Sequence, residues 1–252
     1  MLNFLRNNDP RQSPLPETSR KWIEQSFEWL LKTFGEEAVR QRKVLIPHHT
    51  DFPIRYNGEI QTAHDTLSII ASAMEVDPAE IHLDFYSEGP SEISKGSVFG
   101  DNLYMKGDEN AKTAAGLYLG RGEDGKYHIW LERKNLLQPE GMVATLAHEI
   151  AHIKLLGENR IEVNDEPLTD LTTILFGLGI FNANMAFQFY NNFNSWGYSN
   201  QGYLKQREWG YGLALFATVR EEKEPAWIDH LTKNIRSDFI KSQRYLAQRE
   251  EG

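Results

Sequence analysis

Residues 142–156, MVATLAHEIAHIKLL, are apolar or small on almost every side, yet they carry His148, Glu149 and His152. A helix that is apolar nearly all round is buried. Imidazoles and carboxylates taken into such surroundings need partners, because an unpaired buried polar group is costly. Any fold of this chain must therefore wrap this segment in core and also satisfy the polar groups it brings inside. A bound cation is one way to do so.

His148-Glu149-Ile150-Ala151-His152 is an H-E-x-x-H pattern. Helix positions four apart lie on one face, so both imidazoles point to the same spot. Two neutral imidazoles at that separation can share a Zn2+ ion, and Glu149 can reach a metal-bound water as general base. The ion lowers the pKa of that water to about 7. The plain alternative is a metal-free histidine pair with a solvated glutamate between them. The chain contains no cysteine, so any metal must be held by His, Asp or Glu. The same absence excludes disulfides, thiolate nucleophiles and the deformylase-type use of H-E-x-x-H, which takes a Cys ligand.

A catalytic zinc keeps three protein ligands and one open position. The acidic residues that follow are Glu158, Glu162, Asp165, Glu166 and Asp170. Glu166-Pro-Leu-Thr-Asp170 opens the next helical segment with two carboxylates on one face, and Thr173 and Gly177 extend that stripe with small residues. Glu166 is the expected third ligand, with Glu158 as its rival. Asp170 is expected to accept a hydrogen bond from the far nitrogen of a ligand histidine and so fix its tautomer. Asp165 and Glu166 also suit simple capping of a helix start.

His148-Glu149-x-x-His152 followed by Glu166-x-x-x-Asp170 resembles the zincin metallopeptidases, in particular the gluzincin branch that includes thermolysin-like enzymes. The likeness covers about thirty residues, His148 to Phe181, and is specific at five positions. It implies that His148, His152 and Glu166 bind zinc, that Glu149 is the general base, and that Asp170 orients a ligand His. The gap between His152 and Glu166 is shorter than in thermolysin-like enzymes. The metzincin pattern is disfavoured, because Leu155 and Glu158 stand where it wants Gly and a ligand. EPLTDLTTILFGLGIF and GYLKQREWGYGLALFA also resemble a poorly characterised bacterial family of similar length, to which no activity attaches.

The rest of the chain reads as an α+β fold, zincin-like by that resemblance: a small, mostly antiparallel sheet with a hairpin, then a helical C-terminal half. Residues 1–16 are expected as a flexible N-terminal arm and 17–252 as a single domain. Helices are expected at about 17–34 and 59–75, a short strand and loop over KVLIPHHTDFPIRY, and a strand at EIHLDFYSE. A long loop is expected over 89–113 and a hairpin over 117–131 about a Gly-Glu-Asp-Gly turn. Further helices are expected at 139–156, 166–181, 204–220 and 225–248. In zincins an edge strand ahead of the motif helix takes an extended peptide by strand addition. Lys126–Glu132 is the candidate, with a plain core hairpin as the equal alternative.

With 27 Lys+Arg against 36 Asp+Glu, the net charge of −9 argues against nucleic acid as a partner. Leu171–Phe181, the longest apolar run, has eleven residues, too few to span a membrane. The N-terminus lacks the pattern of a secretory signal. The expectation is a cytoplasmic zinc-dependent hydrolase, a metallopeptidase acting on a peptide or protein substrate. The alternative is a metal-containing, non-proteolytic binding or regulatory protein. Tyr203, Tyr211 and His230 are candidate donors to a tetrahedral oxyanion, and His48, His49 and Asp51 a candidate second metal site.

Overall fold

The computed structural model describes residues 12–87, 115–192 and 204–250. Of the expected arm, residues 1–11 lie outside the described residues, as does the expected loop 89–113. Leu15 is buried against the helical core, so the end of the arm is packed rather than loose.

Helix α1 (Glu17–Phe34) buries Ile23, Phe27 and Leu30, a spacing that places them on one face. Gly35, at φ +82°, ends it where the sequence expects a stop, and the short α2 (Glu36–Gln41) follows at once. Residues 43–56 form no strand, contrary to expectation. The segment is extended, but the Leu45 N–H donates to the carbonyl of Gly177 (2.9 Å) rather than to a ladder. Pro47 and Pro53 each lack an N–H and break any regular pairing.

Helix α3 (Ile60–Ala73) leads through a single turn to strand β1 (Ile81–Tyr86); β2 (Gly116–Arg121) and β3 (Tyr127–Glu132) form the expected hairpin. The sheet order is β1-β3-β2, with β1 parallel and β2 antiparallel to β3. One expectation is corrected here, and one pair of open alternatives is decided. The sheet is mixed, not mostly antiparallel, and β3 is central, so Lys126–Glu132 offers no free edge for a peptide. Tyr127, His128 and Ile129 are all buried in succession, the mark of a strand covered on both faces. Alternation reveals a strand but not its neighbours.

Helix α4 (Pro139–His152) starts with proline in its first turn, where the missing N–H is harmless. Its last expected turn is instead a π-helical turn, Ile153–Gly157. Such insertions shift the chain after them by one residue and often lie at functional sites. The helix expected over 166–181 is two helices, α5 (Glu166–Leu175) and α6 (Gly179–Asn192). Gly177 (φ +76°) separates them, and a Cβ there would lie 2.3 Å from the Lys43 carbonyl oxygen. The eleven-residue apolar run is therefore a buried corner, not one rod. After α7 (Gln206–Val219), a 3-10 segment (Ala226–His230) precedes α8 (Lys233–Glu250), dividing the last expected helix.

Two hydrophobic clusters result. One joins the sheet to α3 and α4 through Leu67, Ile70, Ile129, Leu131, Leu146 and Ile150. The other joins α1, α5, α7 and α8 through Ile23, Leu171, Tyr211, Phe216 and Phe239. Each fully buried Leu or Ile contributes about 1.5–3 kcal/mol relative to exposure. Helix α5 lies at the boundary, which puts its polar stripe against α4. No described helix is long and apolar enough to cross a membrane.

Candidate metal centre

On α4 the four-residue spacing brings the His148 and His152 rings to a centroid separation of 4.8 Å, nearly perpendicular at 86°. Both are buried, at 8% and 6% exposure, with Glu149 at 6%. Facing them is the first turn of α5. Glu166 Oε2 lies 2.9 Å from His148 Nε2 and 3.5 Å from His152 Nε2. The three donor atoms all lie within 4.8 Å of one another, the one such group among the described residues. Two imidazole nitrogens and one carboxylate oxygen are the donor set of a catalytic zinc site with a position to spare.

Capping and approach to the histidines, which the sequence could not separate, fall to different residues. Asp165 caps α5, its Oδ1 accepting the Leu168 N–H (3.0 Å). That leaves Glu166 to turn inward. Glu158 ion-pairs with Lys154 (2.7 Å) and with Arg160, away from the histidines. It does not join them.

Asp170, one turn along α5, is 2% exposed. Its Oδ1 lies 3.1 Å from His148 Nδ1, and its Oδ2 accepts the Leu204 N–H (2.9 Å). A carboxylate can only accept, so the His148 ring donates from Nδ1 to Asp170 and from Nε2 to Glu166, and Nε2 is the nitrogen that faces the second histidine's side of the cluster. The second histidine is held more loosely. Its Nδ1 lies 3.4 Å from Thr169 Oγ1, whose own proton goes to the Asp165 carbonyl (3.0 Å). The Tyr118 ring lies parallel to His152 at 6.0 Å. Asn164 donates through Nδ2 to Glu166 Oε1 (2.6 Å).

The electrostatics follow from burial set against these bonds. Burial disfavours a charged His148, but the carboxylates of Asp170 and Glu166 outweigh it and raise the imidazole well above its ordinary value. Burial likewise pushes the Glu166 carboxyl up, yet His148 and His152 hold it well below the usual carboxylate range. For Asp170 burial prevails over the His148 contact, and its carboxyl is raised. Burial also raises Glu149, against the pull of the two histidines and a backbone hydrogen bond from Tyr118. A carboxyl moved toward neutrality is better matched to proton transfer at physiological pH.

Strand β2 meets α4 at the same place. A Cβ on Gly116 would lie 2.5 Å from Thr145 Cγ2 and 3.0 Å from Glu149 Oε1. Only a glycine lets the strand rest there without displacing the carboxylate.

The remaining sequence candidates stand elsewhere. Tyr211 is fully buried on α7 and donates to Glu24 Oε1 (2.6 Å). His230 closes the 3-10 segment, its carbonyl accepting from Asn184 (2.8 Å). Neither hydrogen-bonds to the His148–His152–Glu166 group. Tyr203 lies outside the described residues. Asp51 turns in to take the Ile46 N–H (3.0 Å) and the Lys43 ammonium (2.5 Å), while His48 and His49 stay exposed. Sequence reasoning missed Asn164, Thr169, Tyr118 and Gly116. Thr169 and Asn164 flank the acidic pair closely enough to have been weighed; Tyr118 and Gly116 arrive from a distant strand and carry no local signal.

Comparison with protein-family models, with curated proteins and with solved structures finds no match to this chain.

Proposed function

We propose that this protein is a zinc-dependent hydrolase, and specifically a metallopeptidase. The observation that carries the reading is Glu166 Oε2 set against both Nε2 atoms, at 2.9 and 3.5 Å, with Asp170 behind His148. The donor set fits a divalent ion of zinc's chemistry, with His148, His152 and Glu166 as its ligands. Bound zinc would supply a Lewis acid that brings a water's pKa to about 7 and polarises a carbonyl.

The chain's own residues then divide the work. Asp170 would hold a proton on His148 Nδ1, so that Nε2 is the nitrogen that releases its proton and gives its lone pair to a bound ion. Glu149, with a carboxyl raised by burial, takes the proton of the attacking water and passes it to the leaving amine. Strand β2 is an edge strand among the described residues and begins beside Glu149. A peptide added along it would run past the base.

Elemental analysis of untagged protein, paired with a peptide-library digest, tests the reading. Zinc near one per chain and cleavage lost on chelation are expected. His148→Ala and His152→Ala should strip the metal, whereas Glu149→Gln should retain it and abolish turnover. A fully active Gln variant would sink the mechanism.

One observation favours a second reading. Glu149 is only 6% exposed and Gly116 rests against it, an arrangement that also suits a metal-containing binding or regulatory protein without proteolysis. Tight peptide binding with no cleavage in the same digest would select that reading.

A further inference from the structure

Glu166 has two carboxylate oxygens, and the structure treats them differently. Oε2 faces the two histidines, while Oε1 accepts the Asn164 side-chain N–H at 2.6 Å. The amide cannot be turned the other way, since its oxygen would then confront a carboxylate oxygen at that distance. The orientation also has a drawback. Asn164 Oδ1 is buried and has no hydrogen-bond partner. A buried acceptor without a donor is unfavourable, so some stronger demand fixes the side chain, and the bond to Glu166 is the interaction that meets it. The residue sits in the short loop between the π-helical turn and α5, next to the capping Asp165. The loop therefore both starts the helix and orients its first acidic side chain.

A carboxylate ligand can offer a metal one oxygen or two. We propose that Asn164 is a positioning residue that keeps Glu166 monodentate, by occupying Oε1, and so preserves an open coordination position for water and substrate. This rests on the metal reading above. Zinc sites that act on substrates need that open position, and expansion to five ligands is within the ion's range. Partners behind the ligands commonly change metal affinity by about 10–100-fold when removed.

Co2+ replaces zinc in sites of this donor set and reports ligand number through its visible absorption, which is intense when four-coordinate and weaker when five-coordinate. The untagged protein, Asn164→Leu and Asn164→Ala are each titrated with Co2+ and then with competing Zn2+. Unfolding temperatures of the metal-free proteins are taken alongside. The expected result is a strong visible band in the natural protein, a weaker and shifted band in both variants, and Zn2+ binding loosened by about tenfold. The metal-free unfolding temperature of at least one variant should stay close to that of the natural protein. Unchanged spectra and affinities would overturn the role of Asn164 and leave the metal reading standing. Spectral change only in step with lost metal-free stability would also overturn it. No Co2+ uptake by the natural protein would remove both.

Discussion

The Asp170 carboxylate reaches two elements at once: Oδ1 lies 3.1 Å from His148 Nδ1 on α4, and Oδ2 accepts the Leu204 N–H (2.9 Å) just ahead of α7. A single buried side chain thereby sets the orientation of a candidate ligand and anchors the chain entering the C-terminal helices. Asp170→Asn keeps the shape but loses the anionic acceptor. Zinc affinity should fall by about 10–100-fold, measured by competition with a chromophoric chelator. Equal affinity in the variant would remove Asp170 from the metal's support.

Gly116→Ala places a methyl group 2.5 Å from Thr145 Cγ2 and 3.0 Å from Glu149 Oε1. Overpacking of this kind costs about 1–3 kcal/mol. The variant should be less stable to denaturant by that amount, and any peptidase activity should fall while zinc content holds. Unchanged denaturant midpoint and activity would show that β2 does not press on Thr145 and Glu149.

Gly177→Ala tests the corner between α5 and α6. The position combines φ +76° with a Cβ only 2.3 Å from the Lys43 carbonyl oxygen, so both strain and a backbone clash oppose a side chain. Destabilisation of about 2 kcal/mol or more is expected in urea unfolding. A loss well under 1 kcal/mol would mean that the 43–46 segment readily gives way.

Glu24 joins three helices: it takes the Tyr211 hydroxyl from α7 (2.6 Å), Arg249 from α8 (2.5 Å) and Arg20 within α1 (2.8 Å). Burial pushes its carboxyl up, but these three donors outweigh burial and hold it below the ordinary value. A carboxyl depressed in the folded state stabilises above its unfolded pKa, and the contribution disappears as pH falls through the folded one. The natural protein should therefore exceed Glu24→Gln in unfolding temperature at neutral pH. The gap should narrow once the pH drops below about 4.5, the ordinary glutamate range. A gap that is constant down to the acid limit would contradict the linkage.

The candidate site was largely legible along the chain because its parts are local. His148 and His152 are related by one helical turn, as are Glu166 and Asp170, and an apolar context around charged groups signals burial before any fold is known. Pro139 and the Asp165–Glu166 pair likewise stand at the starts of α4 and α5. What failed depended on distant partners. The run LTTILFGLGIF carries helical periodicity on both sides of Gly177, and only the Lys43 backbone packed against it reveals a corner. KYHIWLE left edge strand and core hairpin equally open, and only its parallel pairing with β1 makes it central.

Residue order alone determined that two imidazoles would share one helix face with a carboxylate one residue round from it, that the helix would be buried, and that two further carboxylates would share a face of the next. It left Glu158 and Glu166 as rivals, and capping and ligation undivided. Tertiary packing gave the cap to Asp165 and separated the two rivals in space. It turned Glu166 inward against both Nε2 atoms, tied Glu158 to Lys154 and Arg160, and laid Gly116 and Tyr118 beside the motif. The reason is range: helical spacing acts over a few residues, whereas the facing of two helices depends on how α5 packs between two cores built from the whole chain.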